Sequence, residues 1–162
     1  MKKIAFLMMF LLTIAGAASE QQAFEHDAVL VENRSTAFVV RATGYSAEKK
    51  KAAENAAMSA LDTYLFVGIE GVNGGKPLLA ECAREQKPGY FSRLYDEGRY
   101  SVFARVVTEK PKVEKQPDGR FLTTVEVAIS FKALQRDIAT SKLPLYGQEQ
   151  VVEKPAVDAS AV

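Results

Sequence analysis

The residue pattern predicts an α+β domain: an antiparallel sheet of three to four strands, with one long alanine-rich helix and two short helices packed on one face. Three observations carry it. A β-branched run at residues 36–43 stops at Gly44 and leads into alanines spaced three and four apart. Residues 121–131 alternate strictly between two faces. Gln116-Pro117-Asp118-Gly119 supplies turn chemistry between two apolar runs, which reads as a hairpin. Strands and helices mixed in this order, without a regular βαβ alternation, favour an antiparallel sheet with helices on one side.

The N-terminus is set aside first. The 162-residue chain opens MKKIAFLMMFLLTIAGAASEQQ, with Lys2 and Lys3 ahead of an apolar run from Ile4 to Ile14 and small residues after it. That is the pattern of a secretory signal peptide over residues 1–18, with Ala15-Gly16-Ala17 as the cleavage signal. The apolar run is shorter than the roughly 20 residues a membrane-spanning helix needs, so no membrane span is expected. A lipid anchor would need a cysteine directly after the cleavage point, and the only cysteine is Cys82. One cysteine forms no intramolecular bridge, so the fold must rest on its core. About 140 residues remain, enough for one domain.

The elements follow in order. Residues 19–35 form an N-terminal extension, with an apolar patch at Ala28-Val29-Leu30-Val31 that fits an edge strand. A single domain spans residues 36–143. In its first strand Phe38, Val40 and Ala42 share a face. Ser46 then stands where a hydroxyl can cap a helix over residues 47–65. Ala53, Ala56, Ala57, Ala60, Leu61, Tyr64 and Leu65 make the inner stripe of that helix, while Lys49, Lys50, Glu54 and Asp62 are expected to point elsewhere. Alanine along the stripe lets the helix axis approach a sheet closely.

Gly68 suits a left-handed helix end. Residues 70–88 read as a long surface loop with a possible helical turn at 78–84, and residues 88–98 as a short helix. Strands at 100–107 and 121–131 make the hairpin, with the polar run 108–115 extending it as a solvated ribbon. A last short helix at 132–140 turns Leu134 and Ile138 inward. Residues 144–162 lack any period and are expected to be a disordered tail.

The chemistry is sparse. The run GIEGVNGGK at residues 68–76 invites comparison with a phosphate-binding loop. However, Gly71 to Gly75 is one residue short, Pro77 stands where the hydroxyl should be, and a helix precedes it instead of a strand. Gly44-Tyr45-Ser46-Ala47-Glu48 lacks the final glycine of a nucleophile elbow. The only histidine, His26, lies in the N-terminal extension. Cys82 follows Leu78, Leu79 and Ala80 and reads as a small apolar residue, with Arg84 nearby as the one feature favouring a reactive thiol.

No metal site is expected, because one histidine, one cysteine and carboxylates such as Asp96 and Glu97 show no ligand spacing. Nor is any cofactor. The chain holds 21 basic and 20 acidic residues. Two of the basic ones leave with the signal segment, so the mature balance is near neutral and nucleic acid is not an expected partner. Lys49-Lys50-Lys51 reads as a solvated helix face. The candidate binding residues are Tyr90, Phe91, Tyr95 and Tyr100, which with Phe103 group five aromatics among polar residues. Tyrosine is enriched at protein interfaces, and core and interface readings both suit the group.

The stretch VVRATGYSAEKKKAAENAAMSALDTYLFVGIEG, together with TTVEVAISFKALQRDI, resembles a family of small exported Gram-negative proteins. That family includes the amino-terminal domain of the flagellar outer-membrane-ring protein and related small outer-membrane lipoproteins. The resemblance covers about residues 37–143 and transfers no catalytic residue. The chain departs from the lipoprotein members in lacking an acylated cysteine and in carrying the glycine-containing segment 68–88. What the resemblance implies is an envelope assembly or interaction module.

The sequence thus leads to an exported, periplasmic, non-enzymatic protein whose partner is another envelope protein or a second copy of itself. An extracellular location is the alternative destination. The competing expectation is a binder of a small apolar or anionic ligand, with the 68–88 loop as a lid over the aromatics.

Overall fold

The computed structural model describes residues 24–148. The signal segment and residues 149–162 of the expected tail lie outside them. The described residues form a five-stranded antiparallel sheet and four helices, one strand and one short helix beyond expectation.

The strands are β1 (Val29–Asn33), β2 (Phe38–Ser46), β3 (Ala104–Val106), β4 (Val113–Lys115) and β5 (Phe121–Ile129). The helices are α1 (Ala52–Phe66), α2 (Ala83–Gln86), α3 (Pro88–Tyr95) and α4 (Phe131–Ser141). A 3-10 turn at Lys49–Lys51 leads directly into α1.

The sheet is built around β5. One edge of β5 pairs with the whole of β2, from Phe38 opposite Ile129 to Ser46 opposite Phe121. Its other edge is shared by β3, which places Ala104 opposite Ile129, and by β4, which places Val113 opposite Thr123. The expected hairpin is therefore present, but its first arm is broken in two. Pro111, lying in the break, has no N–H to give a ladder. The Thr108 hydroxyl accepts the Glu126 N–H in place of a backbone carbonyl (2.8 Å), and the Thr123 hydroxyl donates to the Lys112 carbonyl (2.7 Å). The arm also starts later than expected, because Gly98 is left-handed (φ 76°) and opens a 3-10 turn at Arg99–Val102.

The inner face of the sheet carries Phe38, Val40 and Ala42 from β2 and Thr123, Val125, Val127 and Ile129 from β5, all buried. Against them lies α1, whose Ala56, Ala57, Ala60, Leu61, Tyr64 and Leu65 are equally buried. Gly44 explains the alanines. It lies inside β2 instead of ending it, and a Cβ there would sit 2.2 Å from the Ala52 carbonyl oxygen and 2.3 Å from the Ala56 nitrogen. Helix backbone rests on strand backbone at this point. Only glycine on one side and small residues on the other permit that approach.

Gly68 closes α1 with φ 97° and donates its N–H to the Thr63 carbonyl (2.8 Å), while the Leu78 and Leu79 N–H groups take the next two carbonyls, of Tyr64 and Leu65. Leu134 and Ile138 of α4 complete the core, and Phe131 stacks on Phe38 with ring centroids 6.0 Å apart. The outer face is mixed: Thr43 and Thr124 share a hydroxyl contact of 3.3 Å, Arg41 lies 3.6 Å from Glu126, and Val39 is buried.

Both ends of the domain are wider than expected. β1 pairs antiparallel with β2, with a bulge between Leu30 and Glu32. At the other end Pro144 and Leu145 are not tail: Leu145 bridges Leu79, the Pro144 carbonyl accepts the Ala80 N–H, and the Tyr146 N–H reaches the Leu78 carbonyl. No helix among the described residues is long and apolar enough to cross a membrane.

Candidate functional site

The most concentrated polar chemistry surrounds Asp62, which the helical wheel places off the inner stripe and the structure buries to 1% exposure. Its Oδ1 accepts the Tyr95 hydroxyl (2.7 Å) and the Arg84 guanidinium, while Oδ2 accepts the His26 Nε2–H (2.8 Å). A buried carboxylate without partners is strongly unfavourable, and three donors from three distant segments offset that penalty. The Arg84 guanidinium also lies 4.1 Å from the Phe66 ring centroid, a cation–π arrangement.

A second cluster repeats the chemistry around Asp137 of α4. Its Oδ2 accepts the Tyr90 hydroxyl (2.7 Å), and its Oδ1 accepts the Arg99 guanidinium. The Arg99 guanidinium lies 5.6 Å from the Phe103 ring and 6.0 Å from that of Tyr90. Helix α3 is thereby clamped on two sides: Tyr95 ties it to α1, and Tyr90 ties it to α4. Burial pushes the Tyr95 phenol well above its ordinary range, helped by the Asp62 charge. Burial also raises Tyr90, helped by its bond to Asp137.

The N-terminal segment crosses the first cluster as a strap, each residue holding a different group. Phe24 packs on Tyr95 at 5.2 Å between centroids, and the Glu25 carbonyl accepts the Ser59 hydroxyl. His26 holds Asp62, and Asp27 Oδ1 accepts the Thr43 N–H (3.1 Å). His26 is thus committed to Asp62 and is no base for Ser46. The Ser46 hydroxyl accepts the Glu48 N–H (3.1 Å) and closes the turn entering the helix instead of capping its first turn.

The four aromatic candidates come together around α3 and the turn after it, but not as an exposed patch. Tyr90 and Phe91 are buried, and Tyr95 and Tyr100 half-buried. The Tyr100 phenol is raised, chiefly by burial. Sequence reasoning missed Asp62, Asp137, Arg84 and Arg99 because their partners lie far off in the chain, up to 47 residues for Tyr90 and Asp137.

The glycine-rich loop resolves into a self-closing turn. Asn73, Gly74 and Gly75 are all left-handed. The Gly75 N–H reaches the Val72 carbonyl (2.9 Å) and the Lys76 N–H that of Asn73 (3.3 Å), so these donors do not ring an anion. Cys82 is half-buried and receives a bond from the Gln86 side chain at 3.4 Å. Among the described residues no group of three His, Cys, Asp or Glu side chains converges as a metal site would require.

Two grooves flank the C-terminal segment. One, about 670 Å³, is floored by Phe66, Pro77, Leu79 and Tyr146, with Glu81, Arg84 and Glu85 also lining it. The other, about 390 Å³, is walled by Leu78, Ile138, Leu143 and Leu145. None of Tyr90, Phe91, Tyr95 and Tyr100 lines either groove. Comparison with protein-family models, with curated proteins and with solved structures found no match to this chain.

Proposed function

We propose that this chain is an exported, non-enzymatic periplasmic protein that serves as an interaction or assembly module of the cell envelope. Its secretory opening and the resemblance over residues 37–143 support the address and the class. The observation that carries the reading is where the side chains are spent. His26, Asp62, Arg84, Tyr90, Tyr95, Arg99 and Asp137 hold one another as braces. Apolar groups meanwhile stand at the surface, among them Val29, Val31, Val102 and Tyr146. Val29 and Val31 stand together on the edge strand β1, and an apolar strand edge fits contact with another protein. Photocrosslinking in cells from Val102 and Tyr146, followed by mass spectrometry, tests it: capture of the same envelope protein in repeated experiments is expected, and recovery of uncrosslinked chain alone contradicts it.

The groove of about 670 Å³ favours a second reading, a small apolar ligand held beside Tyr146. Its Glu81 and Glu85 carboxylates outnumber Arg84, which is already paired with Asp62, and so disfavour an anion there. Native mass spectrometry of the protein isolated from cells would show a retained mass on this reading and the bare chain otherwise.

A further inference from the structure

We propose that β1 is a self-recognising edge: two copies of this chain pair β1 with β1, antiparallel about a two-fold axis, with Asp27 of each copy opposite Arg34 of the other. This goes beyond an envelope partner and does not rest on one. A chain that pairs with itself and with nothing else would remove the envelope-protein partner and leave this inference intact.

The edge is open among the described residues, since β1 ends the strand order and pairs only with β2. It is also apolar for an edge, with Val29 64% and Val31 45% exposed. Natural edge strands avoid this combination, which templates pairing, unless charge or distortion blocks it. The charge on this edge is internally cancelled: Arg34 forks onto Glu32, Nε to Oε1 at 2.8 Å and Nη2 to Oε2 at 2.7 Å. A second copy meets no net repulsion there.

The bulge selects the occupant. Val29 lies opposite Arg41 on the outer face, Leu30 opposite Val40 on the inner face, and Glu32 opposite Val39 on the outer face again. An unbulged strand laid along this edge falls out of phase beyond Leu30, putting its inner residues against outer ones. A second copy carries the same extra residue and restores the phase. In the two-fold register that places Leu30 opposite Val31, Val29 meets Glu32, both outer, and Ala28 meets Asn33, both inner. The same register brings Asp27, just before β1 and using one carboxylate oxygen on the Thr43 N–H, opposite Arg34, just after it and forked onto Glu32, twice. The adjacent symmetric register, Val31 opposite Val31, sets Leu30 against Glu32 and Val29 against Asn33, inner against outer in both cases. Face matching and charge therefore select one register, and a two-fold interface uses the same patch on both copies.

The test is sedimentation equilibrium on the processed protein purified from the periplasm, with Asp27→Arg and Arg34→Asp made separately. Wild type is expected to be a reversible dimer. Each variant alone sets like charges opposite one another twice and should weaken the dimer about tenfold. Mixed one to one, the two variants restore both opposite-charge pairs and should recover wild-type affinity as a heterodimer. Lost intrachain bonds cannot produce that recovery, because each variant keeps its own defect in the mixture. Val31→Lys should abolish the dimer, and Val107→Lys, away from β1, should leave it unchanged. A wild-type monomer at every concentration overturns the proposal, as does a dimer indifferent to Arg34→Asp or a mixture no tighter than its components.

Discussion

Asp62 is the residue on which most of this fold's polar order depends. It draws the N-terminal strap, α2 and the end of α3 onto one face of α1. Removing it strands a guanidinium, an imidazole and the phenol of half-buried Tyr95. Two of its partners, His26 and Arg84, keep side-chain exposures of 41% and 44%, and water can compensate them in part. Asp62→Ala should therefore cost about 2 kcal/mol, below the full price of a broken buried pair, as read from urea unfolding. Tyr95→Phe should cost about 1 kcal/mol for one lost hydrogen bond. The tyrosines also set an alkaline limit. Tyr90 and Tyr95 have phenols raised in the folded state, so their contribution is fully present below the unfolded value of about 10 and is lost as pH rises toward the folded values. The urea midpoint should fall between pH 9 and about 11, and Tyr90→Phe with Tyr95→Phe should flatten that fall. Parallel curves for wild type and the double variant would refute the assignment.

At the scale of elements, the tightest constraint is the crossing of β2 and α1. A side chain at Gly44 has nowhere to go, since its Cβ would overlap the backbone of Ala52 and Ala56. Gly44→Val should prevent folding or cost about 3 kcal/mol or more, and Ala56→Leu about 1 to 3 kcal/mol through overpacking; thermal unfolding would show either. The close approach of α1 was legible in the sequence, because an alanine stripe is a local pattern, but Gly44 read as the strand's end and its place at the crossing was not. Also legible were α3, α4 and the turn at residues 116–119. The split of the hairpin arm was not, although Pro111 was visible, since whether a polar run pairs depends on the side chains of Thr108 and Thr123 reaching across to or from a neighbour. The bridge at Leu145 is a single pair of residues, too short to leave a period. Asp62 was misplaced for a related reason: a helical wheel counts a carboxylate as solvated, and only its three distant donors reverse that.

Across the whole molecule, the two ends are joined to the domain by different means. Residues 24–27 are held by bonds to α1 and β2 and by ring packing on α3, whereas residues 144–146 are held by backbone pairing to residues 78–80. Residues 145–148 line both grooves, so among the described residues a partner there would touch a surface built by the 68–88 region and this segment together. Truncation after residue 143 should expose Leu79, which is 1% exposed in the full fold, and lower the thermal midpoint by several degrees, on the order of 1 to 2 kcal/mol. The central claim is that this surface serves contact with other proteins and not chemistry. The most direct measurement is photocrosslinking in growing cells from a probe replacing Tyr146, with Glu109 as a control position on an exposed loop. One envelope protein captured from Tyr146 and not from Glu109 is the predicted result; identical patterns from both positions, or uncrosslinked chain alone, would contradict it.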